Sequence, residues 1–363
     1  MRIPDYLGGG LVNLAAELEQ RLTGRSPSPA LHPHLASRIP DADSYVLVLI
    51  DGLGDHQLGH PDAVPLRDSR VAALDASFST QTTVNTSTLA TGLPPSQHGV
   101  ISYQLRLGTR VLNTIYWFTE DGTTSLEDPT RFLPSPNLAE RLAADRCRVV
   151  ATEPSAFVGS PLDRMLFRGA TVQGTTSDAE GIELALGASR MPGTLVLLYL
   201  PHVDAAAHAA GQESDLYADA IRQIAETWER LISSLPNGVA VVGTADHGHV
   251  DIAARNRIAL PHSETLIFSG DNRVVYVSGS PAEAISLAES LPATWVPVED
   301  AEGLWGPAPL HEEFAERLPD GLLFADEGYA LVPAGTVDEM VGHHGGVTEA
   351  ELRVPILVSG SGT

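Results

Sequence analysis

The chain has 363 residues, 43% of them hydrophobic, and a formal net charge of −24. That length and apolar content allow a large buried core, in one large or two modest domains. The acidic balance is spread along the chain, which reads as a solvated surface and excludes broad electrostatic attraction to nucleic-acid duplexes or anionic membranes.

All 22 basic residues are Arg. Without Lys there is no Schiff-base amine and no P-loop lysine. The one Cys, Cys147 in DRCRVVAT, allows no intrachain disulfide and reads as a core residue in a reducing compartment. The N-terminal stretch MRIPDYLGGG lacks a basic segment followed by an apolar one, so no secretory leader is expected. The apolar runs are shorter than the roughly 20 residues that span a membrane. The expectation is a cytoplasmic protein.

In chain order, residues 11–22 have the pattern of an amphipathic helix, and 24–41 form a lead-in rich in Pro, Ser and His. Residues 45–50 read as a buried strand. A helix at 136–145 precedes a strand at 148–152, a helix at 180–187 precedes a strand at 194–200, and a long helix at 214–234 precedes a strand at 239–244. This alternation predicts an α/β fold: a doubly wound, mainly parallel central sheet with helices on both faces. From about residue 255 the pattern changes to short strands (TLIFSG, RVVYVSG, ATWVPVE) with a helix at 281–291. These predict a small α+β insertion, after which VPILVSG at 354–360 returns to the main sheet. The expected organisation is a lead-in over 1–40, an α/β core over 41–254 and 336–363, and a small insertion over 255–335. No repeat is present.

Five separated motifs carry the chemistry. Asp51 follows the first strand and precedes glycines that let the backbone turn and a ligand approach. Asp204 and His208, spaced i, i+4, share one face of a helix starting near Val203. Asp246 and His247 follow the strand VAVVGTA, and His344 sits in GHHGG beside His343. Taken singly, these are a turn aspartate, a capping Asp with a surface His, and loop histidines. Taken together, every one falls at a strand end or glycine turn, where an open α/β sheet binds ligands. Asp and His without Cys suit zinc-type ions. The fifth motif, STQTTVNTSTLATG, offers hydroxyls with no general base beside them. Thr82 would open a helix through Ser87 and Leu89, where the dipole favours an anion. A metal can activate its weakly nucleophilic hydroxyl. On composition alone Thr80, Thr83 and Thr86 are equal candidates, and Thr82 could simply cap the helix.

At these residues the chain resembles the alkaline phosphatase superfamily and, within it, the nucleotide pyrophosphatase/phosphodiesterase family. Thr82 lies nine residues before Thr91-Gly92-Leu93, with His98-Gly99-Val100 following. Asn85 matches the family's Asn three residues after the nucleophile. Tyr199 through Asp204, His208 and Gly211 match one motif, Asp246-His247-Gly248 another, and Gly342, His344 and Gly345 a third. The resemblance implies two divalent ions per chain, Zn2+ foremost with Mn2+ or Fe as substitutes. One ion would take Asp51, Thr82, Asp246 and His247; the other would take Asp204, His208 and His344. The chain departs at Tyr103, where the family has an Asn that helps hold the phosphoryl oxygen. Gln104 beside it, or the Tyr103 hydroxyl, is the alternative donor. His249 also replaces an apolar residue.

A sulfatase is excluded by the absence of a C/S-x-P-x-R motif, and a phosphoglycerate mutase-type site by the absence of Lys. The expected function is metal-dependent hydrolysis of phosphodiester or pyrophosphate bonds of a small-molecule phosphodiester or nucleotide, through a phospho-threonine at Thr82, with Asn85 and Tyr103 assisting. Phosphomonoesterase or phosphonate hydrolase activity of the same superfamily competes with it, as does an inactive metal-binding scaffold. Arg164 or Arg168 is the candidate extra cation for a monoester. Oligomeric state is not legible in the sequence.

Overall fold

The computed structural model describes residues 2–333 and 338–360. The main sheet takes its first strands from β1 (Ser44–Ile50) and β2 (Arg70–Asp75). Three short strands follow, β3 (Gln104–Leu107), β4 (Arg110–Asn113) and β5 (Phe118–Thr119), which belong to a second sheet. Then come β6 (Arg148–Pro154), β7 (Thr171–Thr175), β8 (Thr194–Leu200) and β9 (Val239–Thr244). The main sheet has seven strands in the order β2, C-terminal strand (Arg353–Gly360), β9, β1, β8, β6, β7. β1 runs parallel to both β8 and β9, with Val46 opposite Val196 on one side and Val241 on the other. The C-terminal strand is antiparallel to β9 and β2.

The central position of β1 explains its sequence. A strand covered on both faces reads as a continuous apolar run, and every residue of SYVLVLI is buried. The flanking helices Leu11–Thr23, Leu138–Ala144, Asp178–Ser189 and Asp215–Ser233 cover the sheet. The helix Asp215–Ser233 packs closely because Gly243 on β9 has no Cβ: one there would lie 2.8 Å from the Trp228 ring. This is the doubly wound α/β arrangement expected, with one antiparallel return.

The second sheet is wholly antiparallel and also has seven strands: Ala293–Pro297, Gly321–Ala325, Val274–Gly279, Leu266–Gly270, β3, β4 and β5. It therefore joins the segment after residue 255 to residues 104–119, for which no strand was expected. The join is the pairing of Gly270 with Gln104. Its core contains Phe78, Tyr276, Trp305 and Leu322, so the loop leading to Thr82 is anchored in it. The expected insertion boundary at 335 and the terminal residues 361–363 lie outside the described residues.

Candidate metal and phosphoryl-transfer site

Strand order brings the acidic residues together. β9, β1 and β8 are neighbours, and their carboxyl ends lead to Asp246, Asp51 and Asp204 respectively. Backbone bonds fix them: Asp51 N–H donates to Leu200 O at 3.0 Å, and Asp204 N–H donates to Asp51 O at 3.0 Å. Gly52 makes the turn at φ +75°, and a Cβ there would lie 2.8 Å from Asp204 Cβ. Only glycine allows the helix His202–Ala210 to approach β1 this closely.

Three imidazoles face the carboxylates in the same way. His208 Nδ1 bonds to Gly342 O at 2.8 Å, His344 Nδ1 to Thr80 O at 2.9 Å, and His247 Nδ1 to Gly248 O at 3.1 Å. A carbonyl only accepts, so each Nδ1 carries a hydrogen, and each Nε2 presents a lone pair when its ring is neutral. Those Nε2 atoms point inward. His208 Nε2 is 3.2 Å from Asp204 Oδ2, and His344 Nε2 is 3.8 Å from Asp204 Oδ1. His247 Nε2 is 3.5 Å from both Asp51 Oδ1 and Asp246 Oδ2. The His247 and His344 rings stack with centroids 3.7 Å apart.

Ligand atoms of Asp204, His208 and His344 lie within 4.8 Å of one another, and so do those of Asp51, Asp204 and His247. Asp204 thus belongs to both groups, whereas the resemblance gave it to one. Three buried carboxylate oxygens, Asp51 Oδ1, Asp204 Oδ1 and Asp246 Oδ2, have no hydrogen-bond partner among the described residues. Buried anionic oxygens without donors carry a large desolvation penalty unless a cation meets them. Burial first, then the charges of Asp246 and Asp204, push the Asp51 carboxyl well above its usual range. Asp246 is also raised, chiefly by burial. Burial works on Asp204 in the same sense, but His208 and the other two imidazoles outweigh it and hold that carboxyl low. Asp204 in turn raises His208 to about 9 against the opposing effect of burial. The all-oxygen-and-nitrogen donor set, the orphaned carboxylates and the common tautomer fit a pair of divalent cations.

Thr82 is the first residue of the helix Thr82–Thr91, and its Oγ1 lies 3.2 Å from His247 Nε2. The competing threonines are placed differently. Thr80 Oγ1 donates to Gly346 O and accepts from Gly345 N, which ties it to the loop that carries His344. Thr86 Oγ1 donates back to Thr82 O. Thr83 is fully buried, with its hydroxyl unpartnered among the described residues.

Asn85 is turned away from the carboxylates. Its Oδ1 accepts from Ser77 N at 2.6 Å, and its Nδ2 reaches the carbonyls of Ser77, Ser79 and Gln81. It fastens the 77–81 loop under Thr82. Gln81 continues the support: Nε2 donates to Asp271 Oδ2, and Oε1 accepts from Tyr103 N. The Tyr103 hydroxyl accepts from Gln104 Nε2 at 3.0 Å, which leaves its own proton available to donate. His343 pairs with Asp338 at 2.8 Å, and His249 bonds through Nδ1 to Gly52 O at 2.9 Å. Both imidazoles thus shore up loops that carry the candidate ligands.

A cavity of about 510 Å3 opens beside Asp51, Thr82 and Asp204. Its walls are mostly apolar, and no Arg lines it. Arg168 is held by Glu140 at 2.8 Å and by the carbonyls of Thr130 and Pro134, and Arg164 faces Asp128 at 3.7 Å. Neither supplies the extra cation that the sequence left open.

The type I phosphodiesterase / nucleotide pyrophosphatase family profile matches residues 45–346, most of the chain and all of the residues just described. The chain belongs to that family. The solved structures it resembles include murine ectonucleotide pyrophosphatase/phosphodiesterase 5, at TM-score 0.66 and 19% identity over 87% of this chain and 88% of that one. An inactive form of the murine protein in complex with AMP matches at TM-score 0.65 and 20% identity over 87% of each chain. Phosphonoacetate hydrolase from Sinorhizobium meliloti 1021, in complex with phosphonoformate, matches at 0.64 and 16% over 88% of this chain and 90% of that one. A comparison with curated protein sequences returns no match. The protein is a hydrolase of the phosphodiesterase and nucleotide pyrophosphatase type. Among the described residues no helix is long and apolar enough to cross a membrane.

Proposed function

We propose that this protein hydrolyses phosphodiester or pyrophosphate bonds of small molecules, nucleotides among them, with Thr82 as the nucleophile and two divalent cations, Zn2+ foremost, as cofactors. The observation that carries this reading is the position of Thr82 Oγ1. It sits at a helix N-terminus, 3.2 Å from His247 Nε2, at the edge of a cavity and beside carboxylates that lack donors. Asp204, His208 and His344 would hold one cation; Asp51, Asp246 and His247, with Thr82, would hold the other. Bound there, the cations lower the hydroxyl pKa and neutralise charge on the attacked phosphoryl group.

The residues do the rest. Asn85 and Gln81 fix the loop so that Oγ1 points outward. Oγ1 forms the new bond to phosphorus as the opposite ester oxygen departs, giving a phospho-threonine that water then cleaves. The Tyr103 O–H donates to a non-bridging phosphoryl oxygen. A diester suits this site better than a monoester. A monoester carries a further negative charge, and no Arg lines the cavity to meet it. AMP on the related murine protein supports a nucleotide as one substrate.

The test is turnover of bis-p-nitrophenyl phosphate, a dinucleotide, p-nitrophenyl phosphate and phosphonoacetate, with Zn2+ or Mn2+ and with chelator. The proposal expects diester turnover that chelator removes. Faster turnover of the monoester or of phosphonoacetate would replace it with the competing reading.

A further inference from the structure

The cavity beside Thr82 holds two acidic residues that no step above uses. Glu153 stands at the end of β6, and Asp163 in the helix Pro161–Leu166. Both line the cavity, and they are only 6% and 7% exposed. Asp163 Oδ2 accepts from Gly159 N at 2.6 Å, but its Oδ1 has no partner among the described residues, and neither has Glu153 Oε1. Two neighbouring carboxyl groups in an apolar chamber without an Arg are costly to keep, because both lose water and each keeps one oxygen that no donor meets. Burial, and then the Asp163 carboxyl, push the Glu153 carboxyl up to about 8.

We propose that Glu153 and Asp163 together form a subsite for a protonated primary amine carried on the organic arm of the phosphodiester substrate. This deepens the phosphodiesterase reading and rests on it. An ammonium group has three donors for the orphaned oxygens, and charge-assisted bonds of this kind are the strong ones. The apolar wall accepts the methylene arm, while Phe157 and Tyr116, both exposed at the rim, offer ring faces to a passing cation. The choice also fits the charge of the whole protein. A diester with an amine is zwitterionic and carries no net charge, so a surface at −24 does not repel it. A neutral hydrogen-bonding group, such as a base edge, needs no pair of acids.

The test pairs p-nitrophenyl ω-aminoalkyl phosphates, with arms of roughly two to six carbons, against p-nitrophenyl alkyl phosphates of equal length. The metal-loaded wild-type protein should favour the amino ester at its best arm length by about tenfold or more in kcat/KM, chiefly through KM. Glu153→Gln and Asp163→Asn should each bring that ratio towards one. A ratio near one in the wild type, or a preference that survives both substitutions, overturns the subsite. A second measurement needs no phosphorus chemistry: thermal-shift titration with n-hexylammonium chloride against n-hexanol. The ammonium salt should raise the wild-type Tm more than hexanol does, and Glu153→Gln should abolish the difference. Equal shifts overturn the subsite. Failure to turn over either ester, with the ammonium response intact, would instead fault the phosphodiesterase reading.

Discussion

Gly52→Ala perturbs the site through geometry alone. Gly52 has φ +75°, and an added Cβ would lie 2.8 Å from Asp204 Cβ, 2.9 Å from its Cα and 3.1 Å from its N. Two of those atoms are backbone at the start of the helix His202–Ala210, so they cannot rotate aside. Ordinary contact begins near 3.4 Å, so Asp204 must retreat from Asp51 by about half an ångström. The positive φ itself costs about 1 kcal/mol. Gly24→Ala is the control, since its φ is +80° and nothing lies within 4 Å of its Cβ. Both variants carry the backbone penalty, but only Gly52→Ala separates the two carboxylates. Because misplacement by 1 Å can cost about 100-fold in rate, Gly52→Ala should lose about 10- to 100-fold in kcat/KM for bis-p-nitrophenyl phosphate. It should also retain less metal after dialysis. Gly24→Ala should match wild type in both and show only a lower Tm. The reasoning fails if the two variants are equally active and equally loaded with metal.

Thr82→Ala should reduce diester turnover by at least about 10³-fold with metal content largely intact, while Thr82→Ser keeps part of the activity; a greater loss from Thr83→Ala than from Thr82→Ala would move the nucleophile. Asp51→Asn removes one of three crowded carboxylates, so it should raise the Tm of metal-stripped protein and lower that of metal-loaded protein; a fall in both would show that the carboxylates are not in conflict without cations. Glu153 is raised above its unfolded value of 4.5 to about 8 by burial and by Asp163, so the folded state holds its proton more tightly, and the resulting stability is lost as pH rises from about 5 through 8. Allowing for partial screening, that loss is about 2 kcal/mol. It should be read as a fall in Tm with rising pH that is smaller in Glu153→Gln, and equal slopes would contradict it. Tyr103→Phe should lower diester turnover about tenfold with little change in metal content, and unchanged turnover would remove Tyr103 as a donor.

The main sheet was legible because its strands are buried on both faces. An apolar run such as SYVLVLI states its own place. The edge strands β2 and β7 were not, since RVAALD and TVQGT are half-exposed and mixed in polarity. Nor were β3 to β5, each two to four residues long and joined to the rest of their sheet only through the pairing of Gln104 with Gly270. The acidic residues of the site were visible because they follow strands or glycine turns. What the sequence could not show is that β9, β1 and β8 are adjacent, which turns three separate aspartates into one cluster. Composition left Thr80, Thr82, Thr83 and Thr86 equal; the motif spacing singled out Thr82, and hydrogen-bond placement separates the four in the structure. Its place in the motif gives Asn85 an assisting role; the structure shows its amide bonded to the loop backbone. Glu153 gave no signal at all: a glutamate at a strand end reads as surface until the helix carrying Asp163 closes over it.

The most direct test of the account is metal titration of stripped protein, following bis-p-nitrophenyl phosphate hydrolysis and bound metal together. The account predicts no turnover without metal and a rise that saturates at close to two equivalents of Zn2+ or a substitute per chain. Full activity in the presence of chelator, with no metal bound, would contradict it.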